Sequence, residues 1–229
     1  MKKEKSWPLD RIRLLISAMY KEDAHQLEEA LDSVGRYTDI FRYHMATARD
    51  AMKGILGEGE AHVEHMKYVF GVADKQSEFN YAKIVNEANV IGCIHSTRAL
   101  YDVFAQLVNG LVVRPRISIK VCTIGRVTGR LDDGALKNHL ARLIDSEWFK
   151  YISDFVNTIK HRTLVAHGLN VSLEDGTSNI FFSAFEYEGR EHSIRTDTEV
   201  LKGAIEVKNK IVDCGLALTD LVEAISKSR

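Results

Sequence analysis

Cysteine is scarce in this 229-residue chain: Cys93, Cys122 and Cys214 are odd in number and far apart, without the paired spacing a zinc site or a redox dithiol requires. A disulfide framework is therefore not expected, and a reducing compartment is. Proline is scarcer still, with only Pro8 and Pro115, which agrees with long helices joined by few loops. Net charge is nearly absent, at a formal −1, so no global field draws a polyanion, and any nucleic-acid binding must rest on a local patch. Long apolar runs are missing too. The chain opens on a basic stretch from Met1 to Trp7, but the apolar residues that follow are interrupted by Arg11, Arg13 and Lys21, so the central apolar region of a secretion signal is not there. A cytoplasmic protein with no membrane partner is the expectation.

What remains has the composition of an ordinary folded protein: apolar residues make up 45% of the chain and charged residues 28%. The length suits one large domain, or one domain with an appended helical layer. Apolar residues recur at helical spacing from Leu9 to about Leu56, with an interruption near Gly35. Gly54, Gly57 and Gly59 mark a turn, and a short helix follows over about 60–72. The segment from about Glu78 to Val113 is the most strongly helical, because Val90, Ile91, Ile94, Leu100, Val103 and Phe104 wrap most of a helix surface. It is expected to be central. Arg114–Leu131 breaks the pattern with Arg-Pro-Arg and an alternation through Ile117, Ile119, Val121 and Thr123, which predicts a loop with extended character.

Helices resume over Ala135–Asp145 and Glu147–His167, the second with Ser146 as its N-cap and Gly168 ending it in the left-handed conformation. Leu169–Leu173 and Ile180–Tyr187 are β-rich and separated by a turn at 174–178, with a second turn at Glu188-Gly189-Arg190. A helix from about Thr198 to Ile225 closes the chain. The predicted class is mainly α: a helical bundle with a small β-hairpin or three-strand insertion before the C-terminal helix. Residues 1–75 form an N-terminal helical extension packed on the core, and residues 76–229 the main helical domain, with its hairpin at about 169–195.

The densest cluster of reactive side chains is Asn157, Lys160, His161, Arg162 and His167. On one helix, at about 100° per residue, Ile152, Phe155, Ile159 and Ala166 make an apolar stripe, while Arg162 and His167 fall about 140° apart on its flanks. A straight helix does not bring both onto one phosphate. An unwound helix end at Gly168, or a second copy of the helix across a two-fold axis, does.

Arginine, four intervening residues and histidine, on a late helix of a helical bundle, resembles the signature of the HEPN superfamily, and Asn157-x-x-Lys160-His161-Arg162 is similar to the surroundings of that motif in bacterial members. The resemblance covers roughly residues 78–225. It implies an endoribonuclease that cuts RNA without a metal or other cofactor, acting as a homodimer in a toxin or defence setting, with an antitoxin or other regulatory protein as a partner. His167 would serve as acid or base near neutral pH, and Arg162 would stabilise charge gathering on the phosphate. Asn157, Lys160 and His161 would support them. In family members silenced by a partner nucleotidyltransferase, a tyrosine two residues after the motif histidine is modified; Leu169 stands there, so that regulation is not expected. A non-catalytic HEPN-like module that binds a protein, a nucleotide or RNA through the same surface is the alternative.

Two further features bear on a site. His95, Arg98, Asp102, Gln106 and Asn109 draw a polar stripe along the central helix. It is either a solvated face or the lining of a cleft beside the Arg162 helix, with His95 and Asp102 as the candidates. Arg114, Arg116, Lys120, Arg126 and Arg130 fall in one segment with no acidic residue before Asp132, so they form either a solvated basic loop or a contact for an RNA backbone. No aromatic residue interleaves them, which argues against base stacking there. His62 and His65 lie beside Glu60 and Glu64, but nothing nearby completes a metal's geometry. Gly125 and Gly129 form no phosphate-cradling loop, and no nucleophile elbow is present. No metal site is predicted.

Overall fold

The computed structural model describes residues 6–56, 62–172, 174 and 176–228. Gly57, Gly59 and Glu60 of the expected turn, Leu173 at the end of an expected strand and Asp175 of the hairpin turn lie outside the described residues. The model is mainly helical, at 69% helix. Its helices are α1 (Leu9–Met19), α2 (Ala24–Ala51), α3 (His62–Phe70), α4 (Gln76–Leu111), α5 (Ile124–Thr128), α6 (Ala135–Asp145), α7 (Glu147–His161) and α8 (Asp197–Lys227), with a 3₁₀ turn at Ile119–Val121. The strands are β1 (His167–Ser172), β2 (Thr177–Phe182), β3 (Phe185–Tyr187), β4 (Arg190–His192) and β5 (Arg195–Thr196). Among the described residues no helix is long and apolar enough to cross a membrane.

The chain divides into two compact units, neither of them continuous in sequence. The first joins Met1–Asp39, Ser96–Lys150 and Ile205–Arg229. Its core is helical, with Tyr101, Phe104, Leu107 and Leu111 of α4, Ile12 and Ile16 of α1, Leu31 of α2 and Leu140 of α6 all buried. The helical run from Leu9 breaks at residues 20–23 rather than near Gly35, which lies inside α2. Tyr20 explains the position of the break: its backbone leaves the helical region, and its buried hydroxyl donates to the Leu111 carbonyl at 2.7 Å, closing the end of α4. Asp23 then accepts the first backbone bond of α2 from Leu27.

The segment after α4 begins as the expected loop, and within it lie a 3₁₀ turn and then α5, whose N-cap Thr123 accepts from the Arg126 amide. Asn109 supplies strand-like pairing from a side chain, accepting from the Ile117 amide and donating to the Ile117 carbonyl, each at 2.8 Å. The Ser146 hydroxyl donates back to the Leu143 carbonyl and finishes α6, while the Ser146 carbonyl accepts from the Lys150 amide at the start of α7.

The second unit joins Ile40–His95 and Tyr151–Ala204. Here α2 and α4 run antiparallel: the Phe41 carbonyl accepts from Cys93 Sγ, His44 bonds Asn89 at 2.9 Å, and the Ala48 carbonyl accepts from Asn86 at 3.0 Å. β1 and β2 form an antiparallel hairpin with His167 opposite Phe182, β5 adds to β2, and β3 and β4 make a separate two-stranded ribbon. The ribbon's turn is the expected one. Glu188 and Gly189 both have positive φ, at 50° and 78°, as a two-residue type I′ turn demands. Phe155 and Phe182, buried and edge-to-face at 5.3 Å, join α7 to the sheet.

Candidate functional site

The helix expected to run to His167 ends at His161. The Arg162 amide still bonds the Thr158 carbonyl, but Thr163 and Val165 are β-branched, Val165 turns into the core, and by His167 the chain is strand. Gly168 is therefore not a left-handed helix cap. It pairs with Phe181 in the sheet, where a Cβ would stand 3.1 Å from the Phe181 ring, so the residue serves close cross-strand packing.

Arg162 lies exposed at the end of α7. Its guanidinium sits 4.8 Å above the Tyr187 ring and donates to the Glu186 carbonyl at 3.2 Å, so it is engaged with the β3–β4 ribbon. His167 faces the other way energetically: its side chain is 1% exposed and packs on Phe182. Both hydrogens of the Asn86 amide nitrogen are directed at acceptors, the Ala48 carbonyl and the Asp197 carboxylate, which leaves Asn86 Oδ1 to accept from His167 Nε2 at 3.1 Å. The proton is therefore on Nε2. Nδ1 makes no hydrogen bond and lies 3.6 Å from the Glu87 carboxylate. Burial pushes His167 down to about 4, with Lys83 acting in the same direction, and burial raises Glu87. At neutral pH the imidazole is uncharged and enclosed.

Of the supporting residues, Lys160 and His161 are exposed on the last turn of α7, and Asn157 is half-buried one turn earlier. Lys160 lies near enough to His95 to help lower its pKa, after the larger effect of desolvation. Asp102 belongs to the other unit, where it accepts from Arg98 at 3.0 Å as an i, i+4 pair.

The five cations of the 114–130 segment divide by role. Arg114 donates to the Gly110 and Val113 carbonyls at the end of α4, and Arg116 donates to Gly110 and pairs with Asp23 at 2.6 Å, so both brace the segment. Lys120, Arg126 and Arg130 are exposed and form no ion pair with a described residue. Arg126 and Arg130 stand at a groove of about 550 Å³ with Pro115, Ile117 and Val121 along it.

The sequence reading missed Asp154, whose side chain is 8% exposed and which accepts from His192 Nε2 and from Arg190, both at 2.8 Å. The His192 ring stacks on Phe185 at 4.6 Å and meets Tyr151 edge-on. A signal was present: Arg190 and His192 alternate on one face of a strand, and Asp154 interrupts the apolar stripe of α7. Asn86 was missed as well, although it is a lone amide in the apolar row Ala82, Asn86, Val90.

For the metal question, His65 is 3% exposed and bonds Ser178 Oγ at 2.8 Å, which commits it to the contact of α3 with the sheet. Among the described residues no group of three or more His, Cys, Asp or Glu side chains is placed to hold a metal ion. The chain matches no family model, no curated protein and no solved structure.

Proposed function

We propose that this chain is a non-catalytic, HEPN-like helical module that binds RNA through the 114–130 segment. The observation that carries this reading is the contrast between the two sets of cations and the motif histidine. His167 is enclosed, neutral and bonded through Asn86 to Asp197, which is poor preparation for proton transfer at an RNA phosphate. Lys120, Arg126 and Arg130 are exposed on a segment braced by Arg114 and Arg116, so they meet a phosphate backbone at little cost in ordering.

A metal-independent endoribonuclease is the second reading, favoured by one specific feature: His167 Nδ1 has no hydrogen-bond partner, and Arg162 presents its charge at the surface five residues away. It requires the start of β1 to open so that the imidazole reaches substrate. Incubating labelled single-stranded RNA with the protein in chelator separates the two. Retention on a filter without cleavage, weakened in Arg126→Ala/Arg130→Ala, is expected. Cleavage that disappears in His167→Ala and in Arg162→Ala would replace binding by catalysis.

A further inference from the structure

In the first unit, the groove along Pro115, Ile117 and Val121 carries charge of one sign. Arg126 and Arg130 stand on it with Ser118, Arg116 lines it with its own charge paired to Asp23, and no described aspartate or glutamate borders it. Gly129 keeps the helical conformation past the end of α5, its amide on the Gly125 carbonyl at 3.0 Å, so Arg126 and Arg130, four positions apart, rise from the same side of one turn. Side chains at that spacing start roughly 6 Å apart. Arg126 donates to the Val121 carbonyl at 3.4 Å, which lays its guanidinium along the groove wall. Both forks therefore reach a single phosphate.

Arg130 is also where the surface changes sign. It borders a second groove, of about 690 Å³, which is lined by Asp132 and Asp133 and by Asp213 and Asp220 of α8. Arg114 and Lys137 of that groove are already engaged, the first with the Gly110 and Val113 carbonyls and the second with Asp133 at 2.8 Å. A phosphate backbone running on past Arg130 would meet these carboxylates, whereas one that stops there would not. The charge on a single phosphate points the same way. A terminal phosphomonoester carries close to two negative charges at neutral pH and an internal diester one, so a pair of guanidiniums matches the terminal group and exceeds the internal one. Given RNA binding through the 114–130 segment, on which this step rests, we propose that the groove receives the end of an RNA strand and holds its terminal phosphomonoester between Arg126 and Arg130. Pro115, Ile117 and Val121 then form an apolar wall for the last nucleotide.

The test is fluorescence anisotropy at fixed salt with a short, internally labelled single-stranded RNA bearing a 5′-phosphate, a 3′-phosphate or hydroxyls at both ends. At least one phosphorylated strand is expected to bind about tenfold tighter than the hydroxyl-ended strand, and which one it is assigns the end. Arg126→Ala and Arg130→Ala, both at exposed positions, are each expected to bring that ratio close to one without moving the thermal midpoint. Lys120→Ala, outside the groove, is expected to weaken all three strands alike and to keep the ratio. Equal affinity for the three strands would overturn end recognition and leave RNA binding standing, whereas binding of none would overturn both. A preference for phosphorylated ends that survives Arg126→Ala and Arg130→Ala would overturn the site.

Discussion

His167 carries the sharpest consequence at the scale of a single residue. Its folded-state pKa of about 4 lies below the ordinary 6.5, so the unfolded chain binds the extra proton first as pH falls. The stability that neutral His167 contributes is complete above pH 6.5 and is lost progressively toward pH 4. The loss amounts to about 3 kcal/mol at most. Urea midpoints measured from pH 7 to pH 4 are expected to fall in the wild type and to fall less in His167→Gln, which keeps a polar side chain at Asn86 without a titratable ring. A parallel fall in both proteins would assign the acid sensitivity elsewhere. Asp154 makes a different case, since it satisfies a buried imidazole. Arg190 is half exposed and regains water when Asp154→Ala removes its partner, whereas His192, 8% exposed, does not. We expect a loss of about 2 kcal/mol by chemical denaturation, most of it recovered when His192→Phe is added, because Phe185 and Tyr151 already offer that ring an aromatic seat.

At the scale of the element, close approach decides where glycine is needed. The Trp7 indole lies across α8 at Gly215, donating from Nε1 to Thr219 Oγ1 at 2.9 Å, and a Cβ at Gly215 would stand 2.4 Å from the ring. Gly215→Ala improves helix propensity yet forces the indole aside. The expected net effect is a destabilisation of about 1–3 kcal/mol, and the matching test is a thermal melt in which Trp7→Leu removes most of that penalty. Elements such as α4, α6 and α8 were legible in the sequence because their apolar period persists for many turns; α6 matches its expected bounds at both ends. The end of α7 was not legible. Lys160, His161, Arg162 and His167 read as the cationic last turns of one helix, and only the sheet pairing of His167 with Phe182, a contact across fifteen residues, pulls the chain out of it. The segment after α4 was legible as a loop from its Arg-Pro-Arg opening, but not its detail: the Asn109 side chain pairs with Ile117, and no periodicity encodes that. The candidate site follows the same rule, for the guanidinium of Arg162 was found where a charged residue at a helix end belongs, while the seclusion of His167 depends on Asn86, eighty-one positions away.

For the molecule as a whole, electrostatics must be local because the net charge is close to zero. A protein of net charge −1 that binds RNA must do so against no helpful background, so the salt dependence of binding reports only those cations that touch phosphate. Arg114 donates to the Gly110 and Val113 carbonyls and Arg116 to Gly110 and to Asp23, so both brace the segment, and the charge of Arg116 is paired. On the proposed RNA-binding reading, Lys120, Arg126 and Arg130 are the exposed cations left to contact phosphate. Binding of single-stranded RNA measured between 50 and 200 mM salt is expected to show a modest slope of log K against log salt, reduced by about one for each of Lys120→Ala, Arg126→Ala and Arg130→Ala. Arg116→Ala is expected to weaken binding through disorder of the segment, with the slope changing little and the thermal midpoint falling. If Arg116→Ala instead lowers the slope as much as Arg130→Ala does with the midpoint unchanged, then the Asp23 pair gives way on binding and all of the segment's cations face the nucleic acid.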